Sequence, residues 1–317
     1  MNVSIKKLAP GIIISCFCLG IMLYQINLSN VWLEVRKASF GWLILGILSL
    51  NLGYILRIIR WHLFLKTIKT DLLFKECINP YLASITLNNC LPFRAGDVIR
   101  AFFFPKKMGL SNSLSLNSII LERILDIATL CAMALISFYF VAKWNVPWIM
   151  PLILLCAFVF LVVPLLFIFK NKIKDVLLWL VKNKFWTKLS FFFLKMLEDM
   201  SLLIRTPILI KSFILTLLLW FFEIGIYHYS FLSLNQEIGL SSLIFIFAAA
   251  TLSTLIPSTP GYVGTFHLAI YLSAQIVDIE KDMAAAYSII IHGLLWLSTT
   301  IPGLISIIFQ PWKVTIK

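Results

Sequence analysis

Charge is what this sequence has least of. Asp, Glu, Lys and Arg make up 13% of its 317 residues, about half the share of a soluble domain, which excludes a water-solvated surface over most of the chain. The six cysteines show no CxxC or CxxxH spacing and only four histidines are present, so neither a disulfide framework nor a metal site is expected. Asp-x-x-Asp and paired-histidine motifs are missing too. Glycosyl or phosphatidyl transfer to a membrane lipid usually needs such an acidic cluster, so enzyme chemistry is the secondary reading and no cofactor is expected.

What the chain has in excess is apolar: 61% of its residues are hydrophobic, with 26 Phe and 10 Trp. Helices that are apolar around much of their circumference have lipid as their solvent. The formal charge of +13 does not imply a nucleic-acid partner, because the basic residues lie in short stretches between apolar runs, as in the cytoplasmic loops of membrane proteins. Lys6 and Lys7 before an apolar run resemble a signal-peptide start, but no small-x-small cleavage site follows near 25–30; the first span is read as retained.

Apolar stretches long enough to cross about 30 Å of hydrocarbon occur at about 9–26, 40–61, 114–140, 147–169, 212–233 and 284–309. Two further stretches, 77–104 and 241–276, are interrupted, the first by Asn88, Asn89, Pro92, Arg94, Gly96 and Asp97, the second by Pro257, Pro260, Gly261 and Gly264. Backbone broken at membrane depth survives only where protein or a wet cavity shields it. The expected fold is therefore an all-α integral membrane protein with about six full spans and two re-entrant helical hairpins. Two full helix pairs, giving ten spans, and ordinary extramembrane turns are the alternatives. With both termini cytoplasmic, twenty Lys and Arg fall on the inner side and four, Arg36, Lys37, Lys143 and Lys281, outside, in keeping with the positive-inside rule. Segment 170–211 is a basic cytoplasmic connection whose Ile173, Val176, Leu177, Leu180 and Val181 recur at helical spacing, as in a helix on an anionic leaflet; a solvated linker is the plainer alternative.

Superposing the chain on itself at an offset of 165 aligns 83–98 with 248–263, identical at six of sixteen positions and sharing Pro-x-x-x-Gly (Pro92 and Gly96, Pro257 and Gly261). One transmembrane domain, 1–317, would then hold inverted-topology repeats at about 1–143 and 144–317, with a substrate site where the broken elements meet. Thr259-Pro260-Gly261 reads as a helix N-cap and N1 proline, so the second arm is expected to start there and to aim its amides at an anion.

Charges within apolar stretches are costly and have to be paired, wet or functional. Arg94, Asp97 and Arg100 are spaced to share a helix face, where the arginines suit a phosphate and Asp97 partners either one; a structural ion pair competes. Asn89, Arg123, Thr259, Gly261, Gly264 and Thr265 complete the candidate binding set. Arg57 and Arg60 are read as snorkelling to the cytoplasmic interface. Glu122 and Asp126, one turn apart, can bind a cation or carry a proton, or pair with Arg123 and the hairpin arginines. Glu223, halfway along an apolar span without a visible partner, is expected to be protonated; it and His267 are the other coupling candidates. His62 and His292 have no partner at ligand spacing.

Taken in order, Arg57-x-x-Arg60-Trp61, Asn89-x-Leu91-Pro92-x-Arg94-x-Gly96-Asp97-x-x-Arg100, Glu122-Arg123-x-x-Asp126 and Pro257-x-x-Pro260-Gly261-x-x-Gly264-Thr265 resemble the lysylphosphatidylglycerol synthase transmembrane (flippase-like) family. The resemblance implies translocation of a modified anionic phospholipid between leaflets; other relatives accompany glycolipid, hopanoid or polyprenyl-linked pathways. Two departures stand out. No soluble aminoacyl-transferase domain follows Lys317, so lipid lysylation is not implied, and His267 stands where relatives usually carry Glu, with Asp97 replacing another Glu.

The function expected is a flippase-like transporter of an anionic phospholipid or lipid-linked intermediate in a bacterial or archaeal cytoplasmic membrane. Its partners would be lipids with anionic head groups. The alternatives are an integral-membrane enzyme, or a scaffold for a lipid-modifying enzyme or glycosyltransferase, in glycolipid or polyprenyl-phosphate-linked glycan synthesis.

Overall fold

The computed structural model describes residues 5–92, 94–141, 187–256 and 258–309, together with 172 and 175. The expected span at 147–169, most of the basic stretch 170–186, Cys156, Pro257 and the C-terminal lysines lie outside the described residues. Every regular element among the described residues is helical: α1 (Ile5–Tyr24), α2 (Leu28–Arg36), α3 (Phe40–Leu65), α4 (Phe74–Cys90), α5 (Ala95–Phe102), α6 (Phe104–Lys107), α7 (Asn112–Val141), α8 (Thr187–Leu203), α9 (Thr206–Ser233), α10 (Leu240–Ser253), α11 (Thr265–Ile276) and α12 (Lys281–Phe309).

Four of these helices, α3, α7, α9 and α12, are long and apolar enough to cross a membrane, and each covers an apolar stretch that the sequence marks as a span. The first stretch behaves differently. After Tyr24 the chain turns through 89° into α2, and α1 with α2 would count together as one bent fifth crossing. Asn27 Oδ1 caps α2 by accepting the Ser29 N–H at 3.0 Å, and Asp282, at the start of α12, accepts from Asn27 N and Asn30 Nδ2, both at 2.9 Å. The extra helix at 28–36 was not expected. Its Leu28 and Trp32 are 63% and 56% exposed, and Arg36 lies over the Trp32 ring.

Helices α3 and α9 pack along their length through small residues, as helices do where lipid supplies no hydrophobic drive and close backbone approach does. Gly46 faces Ile226, Gly53 faces Leu219 and Glu223, and Ser49 sits against Gly225 while its hydroxyl donates to the Phe222 carbonyl at 2.7 Å. Around this pair the packing is reciprocal. Helix α7 lies against α10, α12 lies against α4, and the two arms of each broken element, α4 with α5 and α10 with α11, lie against each other.

Helix α12 serves as a ruler for both broken elements. Helix α4 runs antiparallel to it: Ser306 Oγ donates to Asn79 Oδ1 at 3.0 Å, Thr86 Oγ1 donates to the carbonyls of Thr299 and Thr300 at 3.3 and 3.2 Å, and Asn89 Nδ2 donates to the Thr299 and Thr300 hydroxyls at 2.8 and 2.9 Å. The second element approaches from the opposite end, where Tyr271 OH donates to Gln25 Oε1 at 3.2 Å, and its turn reaches His292, whose Nε2 lies 2.7 Å from the Gly261 carbonyl oxygen. At about 1.5 Å per residue, Thr299 is about 15 Å from one end of α12 and His292 about 16 Å from the other.

Both breaks fall where the sequence interrupts its apolar runs. Arg94 takes a left-handed conformation (φ 50°) before α5. Gly96 then lies so close to α4 that a Cβ would overlap the Ser84 carbonyl. In the second element Pro260–Tyr262 is a single 3₁₀ turn, and positive φ values at Gly261 (72°), Tyr262 (59°) and Gly264 (97°) prevent it from continuing as a helix. The expected helix start at Thr259 is thus corrected: α11 begins at Thr265, with Gly264 as its N-cap. The Thr259 hydroxyl donates instead to the Val263 carbonyl at 3.1 Å and accepts from Ser15 of α1 at 3.0 Å.

Candidate functional site

The two breaks face each other across a cavity of about 200 Å³ walled by α3, α4, α5, α7, α9, α10, α12 and the Pro260–Tyr262 turn. Arg94, from the first break, donates through Nη2 to the Thr254 hydroxyl at 2.8 Å and its carbonyl at 3.3 Å in the second, and its guanidinium lies 5.6 Å from the Tyr262 ring centroid.

Behind this contact runs a chain of buried and half-buried ion pairs. Arg57 of α3 donates from Nε and Nη2 to the two carboxylate oxygens of Glu223 on α9, the second at 3.0 Å, and from Nη1 to Asp126 of α7 at 3.3 Å. Arg60 donates from Nη1 to Asp126 at 2.7 Å and to the Thr216 hydroxyl at 2.6 Å. Arg123, one helical turn before Asp126, donates to Asp97 at 2.6 Å, and Asn88 holds Asp97 from α4 by a side-chain donor and a backbone acceptance, both at 3.1 Å. Arg100 donates to Glu122 at 2.7 Å, lies 3.7 Å from Asp97, and is stacked between Trp61 and Tyr81 at 5.1 and 4.5 Å from their ring centroids.

These contacts correct three expectations. Arg57 and Arg60 do not snorkel: Arg60 is 0% exposed and both are ion-paired. Glu223 is not alone, because α3 and α9 pack closely enough to give it the Arg57 guanidinium. Arg94 does not share a helix face with Asp97 and Arg100, since it precedes α5 in a left-handed conformation. Of its two expected partners Asp97 keeps Arg100, at 3.7 Å, and Arg123 takes the place of Arg94, at 2.6 Å.

Of the residues singled out from sequence, Asn89, Arg94, Asp97, Arg100, Arg123, Asp126, Glu223 and Gly261 line the cavity together. Glu122 lies behind Arg100, each 2% exposed. Thr259, Gly264, Thr265 and His267 stand one layer back, supporting the turn. There, Thr265 Oγ1 donates to Ser258 Oγ at 3.2 Å, and the Gly264 N–H points at His267 Nδ1 at 3.4 Å. His292, given no partner from sequence, stacks edge-on against His267 with ring centroids 4.5 Å apart. Tyr54, Thr254, Tyr262, Trp296 and Thr299 also line the cavity. Tyr54, Thr254 and Tyr262 lie within three residues of motif positions but carry no charge to mark them, whereas Trp296 and Thr299 are far from every motif in sequence.

Four long apolar helices, two broken elements meeting at a shared cavity, and ion pairs buried among them define a multi-pass α-helical membrane protein. A family model for the lysylphosphatidylglycerol synthase TM region matches residues 8–303, and the chain belongs to that family. It is similar to the UPF0104 membrane protein MJ1078 of Methanocaldococcus jannaschii, at 29% identity over 69% of this chain and 92% of that protein. It is also similar to the UPF0104 membrane protein PH1989 of Pyrococcus horikoshii, at 22% identity over 93% of this chain and 95% of that protein.

Proposed function

We propose that this protein moves an anionic phospholipid or lipid-linked intermediate between leaflets, holding the head group in the cavity while the tail stays in lipid. The observation that carries this reading is Arg94: a guanidinium at the meeting point of two broken elements, in the cavity wall, with a neutral threonine as its hydrogen-bond partner. Guanidinium matches phosphate oxygens in pairs. The four carboxylates of the network are each taken by an arginine, an arrangement suited to shaping a binding site rather than to general acid or base work, which favours translocation over enzyme chemistry.

The finer architecture belongs to the same proposal. The two broken elements are re-entrant hairpins that enter from opposite sides, the first from the cytoplasm, within inverted repeats at about 1–143 and 144–317. The approach of α4 and of the 260–262 turn from opposite ends of α12 supports this, as does the reciprocal packing of α7 on α10 and α12 on α4. The protein would sit in a bacterial or archaeal cytoplasmic membrane with both termini inside, and a lipid-modifying enzyme would supply its substrate. If transport is proton-linked, it runs through Glu122, Asp126, Glu223 or His267.

Reconstitution into vesicles with a labelled phosphatidylglycerol, scored by accessibility of the label to an outside quencher, tests this. Arg94→Lys should fold normally but translocate at least about tenfold more slowly, because charge survives and paired geometry does not. Arg100→Lys should mainly lower the thermal midpoint, since it loses stacking on Trp61 and Tyr81. No translocation of any anionic lipid by the wild type would reject the proposal.

A further inference from the structure

Among the described residues, five arginines and four carboxylates meet around the cavity, and the excess has one address. Arg57, Arg60, Arg100 and Arg123 are ion-paired with Asp97, Glu122, Asp126 and Glu223, so these eight charges balance. Arg94 has no carboxylate within 4.0 Å among the described residues. Of the two histidines beside the 260–262 turn, His267 accepts the Gly264 N–H at Nδ1, which a ring protonated there could not do, and the neutral His292 ring satisfies its contact with the Gly261 carbonyl through Nε2–H.

From this balance we infer that the cavity is matched to a head group carrying one net negative charge: a phosphodiester monoanion whose remainder is uncharged. The inference rests on the translocation reading and narrows its substrate. A second negative charge would find the charge of every other described guanidinium at the cavity already balanced by a carboxylate, even where an N–H such as Arg100 Nη1 has no hydrogen-bond partner, and an unpaired charge in a water-poor site is strongly disfavoured. A zwitterion would satisfy Arg94 with its phosphate but bring a cation for which every carboxylate is taken. Thr254 and Tyr262 lie against Arg94, and the lining also offers the neutral groups of Asn89 and Trp296, which suit hydroxyls. Arg94 uses Nη2 on Thr254 and makes no hydrogen bond from Nε or Nη1 to a described residue. The Nε and Nη1 protons are therefore left for phosphate oxygens.

A valence series on the purified full chain tests this. A fluorescent phosphatidylglycerol bound to the protein is displaced, at about pH 8, by unlabelled phosphatidylglycerol, by phosphatidic acid, whose monoester carries about two charges there, or by zwitterionic phosphatidylcholine. Phosphatidylglycerol should displace the probe at least about tenfold better than either competitor. Phosphatidic acid equal or superior to it would overturn the charge match while leaving translocation of anionic lipids standing. Failure of every anionic lipid to bind would overturn both. Arg94→Gln should bring phosphatidylglycerol to within about twofold of phosphatidylcholine, and persistence of the full preference would reject Arg94 as its source. Thr254→Lys adds a second cation beside Arg94 and should reverse the order of phosphatidylglycerol and phosphatidic acid; an unchanged order counts against the match. Should that variant not fold, the wild-type series decides alone.

Discussion

Arg57 and Glu223 are 166 positions apart in sequence and share a bidentate ion pair at the centre of the α3 and α9 contact. A sequence displays partners three or four residues away, which is why Glu122, Arg123 and Asp126 were legible as a pairing group. Arg57, Arg60 and Glu223 looked like separate charges with nowhere to go except the interface or a protonated state. Their burial has an energetic signature. Removing one partner of a buried pair leaves the other uncompensated, at about 3–5 kcal/mol, whereas removing both together is far milder. Arg57→Gln and Glu223→Gln should each lower the thermal midpoint of the detergent-solubilised protein markedly, and the double variant should recover more than half of the summed loss. Strictly additive losses would show that the two groups do not stabilise each other.

At the scale of elements, hydropathy marked α3, α7, α9 and α12 well, because lipid-facing helices must be apolar over their whole length. The breaks in the two remaining elements were equally legible, since Pro, Gly, Asn and Arg have no other reason to collect inside an apolar run. Two features were not. Helix α2 has a mixed composition that reads as a loop until Asp282 is seen anchoring its start through Asn27 and Asn30. The start of α11 was set too early because Thr259-Pro260-Gly261 has the chemistry of a cap, while the left-handed Tyr262 and Gly264 that cancel it are visible only in the backbone. Close approach within the first broken element makes a testable contrast. At Gly96 a Cβ would run into the Ser84 carbonyl, whereas at Gly293, in the middle of α12, it would meet nothing within 4 Å. Gly96→Ala should therefore push α5 away from α4 and cost about 1–3 kcal/mol, read as a lowered thermal midpoint and weaker lipid binding. Gly293→Ala should be neutral or slightly stabilising, as helix propensity favours Ala. Equal effects of the two substitutions would show that the α4 and α5 contact is not tight.

For the whole molecule, the repeat signal at an offset of 165 rests on few identities, and nearly all the cavity charge comes from one side of it. Arg57, Arg60, Arg94, Asp97, Arg100, Glu122, Arg123 and Asp126 precede residue 144; within the aligned stretch the positions of Arg94 and Asp97 are occupied in the second half by Thr259 and Tyr262. On the proposed reading, paired broken elements with the charge concentrated on one of them suit a two-sided carrier of an anion: both faces would open around one site, and the first half would bind the charge. The proposed inversion can be tested without any lipid being moved. If the inverted repeats hold, the α3–α4 loop and the α9–α10 loop lie on opposite sides of the membrane, with the more basic α3–α4 loop inside. Asp71 and Gln236 are exposed residues in these two loops. In a cysteine-free background, Asp71→Cys should react with a membrane-impermeant maleimide only after sealed right-side-out vesicles are opened, and Gln236→Cys should react before. Labelling of both from the same side would rule out inversion and leave the reciprocal packing of α7 with α10 and α12 with α4 as a property of the helix bundle alone.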